Sequence, residues 1–121
     1  MSLVTGIDHI QLAIPHGGEP HARAFWTGVM GMTERPKPAH LALNGGCWFE
    51  TEGVAIHCGV EEHFLPARRA HPALLVADLE ALVAALREEG VGFKEGKPLA
   101  GYRRGDIADP SGNRIELMQR L

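Results

Sequence analysis

Four side chains that commonly bind metal ions occur as two pairs, one pair in each half of the sequence. His57 follows His9 by 48 residues, and Glu116 follows His71 by 45 residues. This nearly equal spacing indicates an internal duplication in which each half supplies two candidate ligands. Three imidazoles and one carboxylate suit a divalent ion such as Zn²⁺, Ni²⁺, Fe²⁺, Co²⁺ or Mn²⁺, whereas Ca²⁺ prefers oxygen ligands alone. The pattern predicts one such ion wherever the fold brings the four side chains together.

These side chains lie on the polar faces of predicted strands. In the stretch DHIQLAI, residues 8–14, the isoleucines and the leucine form one apolar face, and His9 points to the other. His57 and Glu116 avoid the apolar faces of their strands in the same way. A single histidine in such a position is most often structural or solvent-exposed, but four ligand-type residues at corresponding positions are stronger evidence for a site.

The first half of the sequence reads as a strand, a helix and three further strands. A strand over 8–14 precedes a helix from Pro20 to Met30, where Gly31 supplies a common helix ending. Strand-like stretches separated by glycine-containing turns follow over 39–43, 47–50 and 54–60.

The second half repeats this order after a linker over 61–70. A strand over 71–77 leads to a helix over 79–89, which Asp78 caps at its start. The remaining predicted strands cover 92–95, 102–108 and 114–119.

We therefore expect one α+β domain over 1–121 that contains two tandem βαβββ modules. Module 1 covers about 4–60 and module 2 about 71–121. If the mixed sheets of the two modules curl into a cup with the helices on the outer side, the polar strand faces line the hollow and the four side chains converge.

The composition excludes several classes of function. The 121 residues are 45% hydrophobic and 22% charged, and the formal net charge of −3 argues against a nucleic-acid partner. No apolar run has the length of a membrane helix, and two cysteines, Cys47 and Cys58, are too few for a disulfide framework. We expect a cytoplasmic protein.

Arginines and aromatic residues on two predicted strands are candidates for substrate binding. Arg103 and Arg104 follow Tyr102, and guanidinium groups bind carboxylates and phosphates, although a solvated edge strand is the alternative interpretation. Trp48 and Phe49 alternate, so one of the two should line the cup.

Nucleophilic catalysis has little support in the sequence. The only serines are Ser2 and Ser111, and no G-x-S-x-G motif is present. Cys58 lies on the apolar face of its predicted strand, where a thiol is expected to be buried and inert.

Four stretches of the sequence together resemble the vicinal oxygen chelate superfamily, which includes glyoxalase I, fosfomycin-resistance proteins, extradiol dioxygenases and bleomycin-binding proteins. The resemblance extends from Ile7 to Met118. The stretches are DHIQLAI, ARAFWTGVMGM, AHPALLV and DPSGNRIEL, of which the last is the most specific.

The resemblance implies a metal site and a homodimer. Metal ligands in that superfamily lie on the first and fourth strands of each module, which correspond here to His9, His57, His71 and Glu116. Glyoxalase-I-like members usually have a glutamate at the position of His57, whereas extradiol dioxygenases and fosfomycin enzymes usually use two histidines and one carboxylate. This chain matches neither pattern fully.

The departure at His57 has a chemical consequence. With Glu116 as the sole carboxylate, a bound divalent ion retains a charge of about +1, which favours an anionic substrate that chelates through two oxygens. Glu116, if it can detach from the ion, is also the candidate catalytic base, with metal-bound hydroxide as the alternative. We expect lyase or isomerase chemistry, with extradiol-type dioxygenation or metal-free small-molecule binding, as in bleomycin-resistance proteins, as the alternatives.

Overall fold

The computed structural model describes residues 1–121 and contains two separate four-stranded mixed sheets. In each sheet the first strand of a module pairs in parallel with the last, and the other pairs are antiparallel. The first sheet has the order β1-β4-β3-β2, with β1 Ile10–Ile14, β2 Thr33–Arg35, β3 Cys47–Thr51 and β4 Val54–Val60. The second has the order β5-β8-β7-β6, with β5 Ala73–Leu75, β6 Lys94–Glu95, β7 Tyr102–Ala108 and β8 Arg114–Arg120.

This topology confirms the α+β class and the two tandem βαβββ modules. The equivalence extends to the pairing of individual strands, since β1 lies beside β4 as β5 lies beside β8. No strand pairing joins the two sheets, so they do not close into one cup within the chain.

The helix of the first module has two parts. α1, Glu19–Arg23, continues directly into a π-helical segment, Ala24–Val29, so the helix predicted from Pro20 to Met30 is present. Phe25 and Trp26 are buried on its inner side and belong to the hydrophobic core.

The helix of the second module forms as predicted. α3 spans Leu79–Glu88, and the side chain of Asp78 accepts a hydrogen bond of 3.0 Å from the backbone N–H of Ala81. This contact satisfies one of the free N–H groups at the helix start.

The strand predicted over 39–43 is wrong. This stretch is a short helix, α2, Ala39–Ala42, that begins after Pro38. Alanine and leucine are strong helix formers. They are also apolar, and this apolar character led to the prediction of a strand. The missing strand of the module is β2, which pairs with β3 but has no apolar alternation that would identify it.

One hydrophobic core serves both modules. Its 16 buried residues form a single cluster that includes Trp26 and Ile56 of the first module and Leu79 and Leu117 of the second. None of the helices is long and apolar enough to cross a membrane.

Candidate functional site

The four predicted ligands lie in two pairs on different sheets. His9 and His57 stack on the first sheet, and His71 contacts Glu116 on the second. No group of three or more histidine, cysteine, aspartate or glutamate side chains lies together in a way that could hold a metal ion. Within one chain, therefore, the four side chains do not converge.

His9 and His71, the first candidate ligand of each module, lie just before the first strand of their module. β1 begins at Ile10 and β5 at Ala73, so His9 and His71 lie outside the regular ladders in which the sequence analysis placed them. Their rings are consequently held by specific side-chain and backbone contacts more than by strand geometry.

His71 and Glu116 form the more buried pair. The Nδ1 atom of His71 lies 2.7 Å from the carbonyl oxygen of Arg69, and its Nε2 atom lies 3.1 Å from Oε1 of Glu116. A carbonyl oxygen only accepts, so Nδ1 carries a proton, and in a neutral imidazole Nε2 then has a lone pair. A lone pair facing a carboxylate oxygen calls for a positive species there, either the second proton of an imidazolium or a bound cation.

Arg104 occupies the other oxygen of Glu116. Its Nη1 donates to Oε2 at 2.9 Å, and its Nε donates to the carbonyl oxygen of Lys97 at 3.1 Å. Burial alone would raise the pKa of Glu116, but the contacts with Arg104 and His71 outweigh burial and lower it. Glu116 is therefore a carboxylate at neutral pH, with Oε1 directed at His71.

A polar cavity of about 340 Å³ adjoins Glu116, and it has no hydrophobic lining residue. Its charged lining residues are four basic and three acidic, so the excess is positive. They are Lys94, Lys97, Arg104, Arg114, Glu95, Asp106 and Glu116.

The structure separates the predicted substrate-binding residues of β7. Arg104 faces Glu116, whereas Arg103 alternates to the opposite face, where its Nε lies 3.5 Å from Oε1 of Glu95. Tyr102 is on the same face as Arg104 by alternation, but it does not line the cavity beside Glu116. Of the two arginines, only Arg104 touches a predicted ligand.

On the first sheet, three flat rings form a continuous stack. The ring centroids of Trp48 and His57 are 4.2 Å apart, and those of His57 and His9 are 4.0 Å apart, with interplanar angles of 9° and 16°. Burial of the ring and then the neighbouring His9 lower the pKa of His57. The Nδ1 atom of His9 lies 2.8 Å from Oδ1 of Asp8, so its Nε2 lone pair is available.

The stack lines a cavity of about 600 Å³. The sequence left open whether Trp48 or Phe49 faces the hollow: Trp48 lines the cavity, and Phe49 is fully buried in the core. The side chains of Gln11, Lys37 and Asn44 add polar groups to the wall.

Sequence reasoning missed several contacts of the site. Asp8 and the carbonyl group of Arg69 each accept a hydrogen bond from Nδ1 of a candidate ligand, as partners of metal-binding histidines commonly do. The Asp-His dipeptide at 8–9 was the available signal for the first. Lys37, Lys94 and Lys97 lie in or beside irregular segments, where no periodicity predicts a direction.

Comparisons of this chain with a family model and with solved structures agree on its family. The family model of the Glyoxalase/Bleomycin resistance protein/Dioxygenase superfamily matches residues 6–117. A protein from Bacillus anthracis described as a glyoxalase family protein is 41% identical, with a TM-score of 0.94 over 100% of this chain and 99% of that chain. The search of curated protein sequences found no match.

Two more distant structures share the fold. A mutant of the fosfomycin resistance protein FosX from Listeria monocytogenes, complexed with Mn(II) and 1S,2S-dihydroxypropylphosphonic acid, is 18% identical, with a TM-score of 0.81 over 98% of this chain and 95% of that chain. TnmS3, an antibiotic binding protein from Streptomyces sp. CB03234, is 22% identical, with a TM-score of 0.73 over 98% of this chain and 100% of that chain. On the match of the family model and the 41% identity, the chain belongs to the Glyoxalase/Bleomycin resistance protein/Dioxygenase superfamily.

Proposed function

We propose that this protein is a metal-dependent enzyme that acts on a small anionic substrate through two neighbouring oxygen atoms. The observation that carries the proposal is the 3.1 Å contact between Nε2 of His71 and Oε1 of Glu116, which requires a second proton on the imidazole or a bound cation. A divalent cation is the species that such a pair would share in a member of this superfamily.

The residues present fit such an ion. Nε2 of His9, Nε2 of His71 and Oε1 of Glu116 would hold it, and the Nδ1 atoms of both histidines already have acceptors that fix the required tautomer. Imidazole and carboxylate donors suit Zn²⁺, Ni²⁺, Fe²⁺, Co²⁺ and Mn²⁺. When bound, the ion supplies Lewis-acid stabilisation of negative charge that develops on the substrate oxygens.

A second copy of the chain would complete the site. Because His9 lies with His57 on one sheet and apart from the pair on the other, we infer a homodimer in which His9 of one chain meets His71 and Glu116 of its partner. The accessible surface of 8200 Å² supports this inference, since a compact monomer of 13.1 kDa exposes about 6400 Å². Exposed apolar side chains that a partner would cover include Leu3, Val4, Ile7, Leu65 and Leu75.

Arg104 and Glu116 would have different roles toward the substrate, the first in binding and the second in proton transfer. The cavity beside them carries an excess of positive charge, which favours an anionic group, and Arg104 keeps Glu116 ionised. Oε1 would bind the ion and Oε2 accepts from Arg104, so Glu116 would act as a base only after it detaches from the ion. Because its pKa is lowered, it would then take a proton only from an atom that an adjacent carbonyl or chelated oxygen has acidified. This requirement favours lyase or isomerase chemistry on hydroxy-keto compounds or related chelators.

A metal-free binding protein is the second candidate function. The cavity of about 600 Å³ beside Trp48 and His57 has the size and the aromatic wall of a small-molecule pocket, and the antibiotic binding protein TnmS3 has the same fold. For either function we propose a cytoplasmic location, because Cys47 and Cys58 are buried free thiols that suit a reducing compartment.

Metal analysis separates the two functions. Protein purified without a metal-affinity column should contain about one equivalent of divalent metal per chain, and His71→Ala should remove it. Wild-type protein that takes up no divalent metal would favour the binding protein and contradict the enzyme. For the metal-loaded protein, oxygen uptake with catechols would indicate dioxygenation, and loss of the hemithioacetal of glutathione and methylglyoxal would identify lyase or isomerase chemistry.

A further inference from the structure

His57 is the middle ring of the stack and is enclosed on both faces. Trp48 lies directly opposite His57 across the β3–β4 pair, and His57 lies beside Gln11 of β1, two residues beyond His9. The positions of β3 and β4 therefore fix the plane of the His57 ring, and the side chain of His9 rests against its free face.

The stacked geometry conflicts with shared ligation by His9 and His57. An ion bound to imidazole lies in the plane of the ring, about 2.0–2.1 Å from the nitrogen. The two rings are 4.0 Å apart and inclined by only 16°, so an ion in the plane of one ring stays well outside the plane of the other. In this arrangement one metal ion can use His9 or His57, but not both.

His9 depends on that stack for its orientation. It precedes β1, so no strand ladder restrains it, and its side chain is 40% exposed. Its other contact, Asp8, has a side chain that is 95% exposed, and ion pairs of such exposed groups are weak restraints. The face of His57 is the ordered surface against which the His9 ring is held.

We propose that His57 is a positioning residue that is not a metal ligand: its ring, held by Trp48, sets the plane of His9 and so aims Nε2 of His9 at the metal. The inference rests on the proposed metal site. It differs from the ligand set that the sequence predicts, because the flat shape of the His57 ring matters and its nitrogen atoms do not. The ligands of the site are then two histidines and one carboxylate, and His57 is packed against the ring of His9.

Titration with Co²⁺, followed by visible absorption, tests the role of His57 without any substrate. His57→Phe keeps a flat ring but has no donor atom, and the open cavity beside it has room for the slightly larger ring. We expect Kd for Co²⁺ within about threefold of wild type for His57→Phe, and about 10- to 100-fold weaker binding for His57→Ala, the loss typical of removing a group that orients a metal ligand. Equal losses in the two variants would identify His57 as a ligand, and an unchanged Kd in His57→Ala would show that the stack has no role; either result overturns the inference.

A second pair of variants provides an independent test should either His57 variant fail to fold. Trp48→Ala removes the outer ring and Trp48→Phe retains one, yet neither changes a possible ligand. We expect weaker Co²⁺ binding in Trp48→Ala than in Trp48→Phe, and equal binding by the two would contradict the inference. Wild-type protein that binds no Co²⁺ would overturn the proposed function itself, whereas wild-type binding that His57→Phe abolishes overturns only the role given to His57.

Discussion

Nε2 of His71 lies 3.1 Å from Oε1 of Glu116, while Nδ1 of the same ring is hydrogen-bonded to the carbonyl oxygen of Arg69. The carbonyl contact fixes the proton on Nδ1, so the second nitrogen and the carboxylate meet as two acceptors unless a positive species lies between them. The arrangement matches a metal-ligand pair whose histidine tautomer is set by a backbone partner. It also leaves a third ligand to come from elsewhere.

Replacement of Glu116 by glutamine should remove metal binding and preserve the fold. The amide has nearly the same shape but lacks the charge, so we expect Co²⁺ affinity to fall at least about 100-fold, measured by competition with a chromogenic chelator. Glu95→Gln is the matched control, because Glu95 lines the same cavity with a side chain that is 61% exposed. Loss of affinity in both variants would show that general charge, and not ligation, is responsible.

Arg104 should contribute to anion binding, and its sequence neighbour Arg103 should not. Oxalate, a small dianion that chelates through two oxygens, is a suitable probe for the metal-loaded protein. The substitution Arg104→Gln removes a charge-assisted hydrogen bond to the anion. It should therefore weaken oxalate binding about 10-fold, as measured by calorimetry. Arg103→Gln should bind oxalate as wild type does, because Arg103 lies on the opposite face of β7. Equal effects of the two substitutions would contradict the assignment of faces.

Glu19 should make the stability of the protein depend on pH. Its Oε2 accepts a 3.0 Å hydrogen bond from the backbone N–H of Gly46, and this bond together with the N–H of Glu19 itself lowers the pKa of the carboxyl group. A lowered pKa means that the stabilisation is complete above the unfolded value of about 4.3 and is lost as the pH falls through the lower folded value. Compared with Glu19→Gln, wild-type protein should be more stable by about 1 kcal/mol at neutral pH.

Urea denaturation of the metal-free protein at several pH values measures this difference. We expect the advantage of wild type over Glu19→Gln to shrink below pH of about 4. Glu52→Gln serves as the control, because Glu52 is exposed in the turn between β3 and β4 and makes no side-chain hydrogen bond. A difference between wild type and Glu19→Gln that stays constant with pH would exclude ionised Glu19 as its source.

The repeated pattern of the strands and helices could be predicted from the sequence, because β4, β8 and α3 have clear apolar periodicity. β2 could not be predicted from the sequence, because Thr33–Arg35 is held by pairing with β3 and has no apolar face of its own. Ala39–Ala42 is helical in keeping with the helix propensity of alanine and leucine, although its apolar composition predicted a strand. Pairing with a neighbouring strand, which formed β2, is information that the local sequence does not contain.

The candidate site shows the same limit. Alternation correctly placed His57 and Glu116 on the polar faces of their strands, and the duplication identified both pairs of residues. The distance between the pairs, however, depends on how two separate sheets are arranged. The stack of His9, His57 and Trp48 depends on the register of β3 against β4, which the turn at Glu52 and Gly53 sets and a face assignment does not reveal.

Metal binding by a mixed dimer tests most directly whether the site joins two chains. His9→Ala and Glu116→Gln, each prepared alone, should bind no Co²⁺ at concentrations that saturate wild type. When the two variants are co-expressed in equal amounts, half of the dimers pair one chain of each kind and regain one intact site, so we expect about one quarter of an ion per chain. A mixed sample that binds no more than either variant alone would contradict a site built from His9 of one chain with His71 and Glu116 of the other.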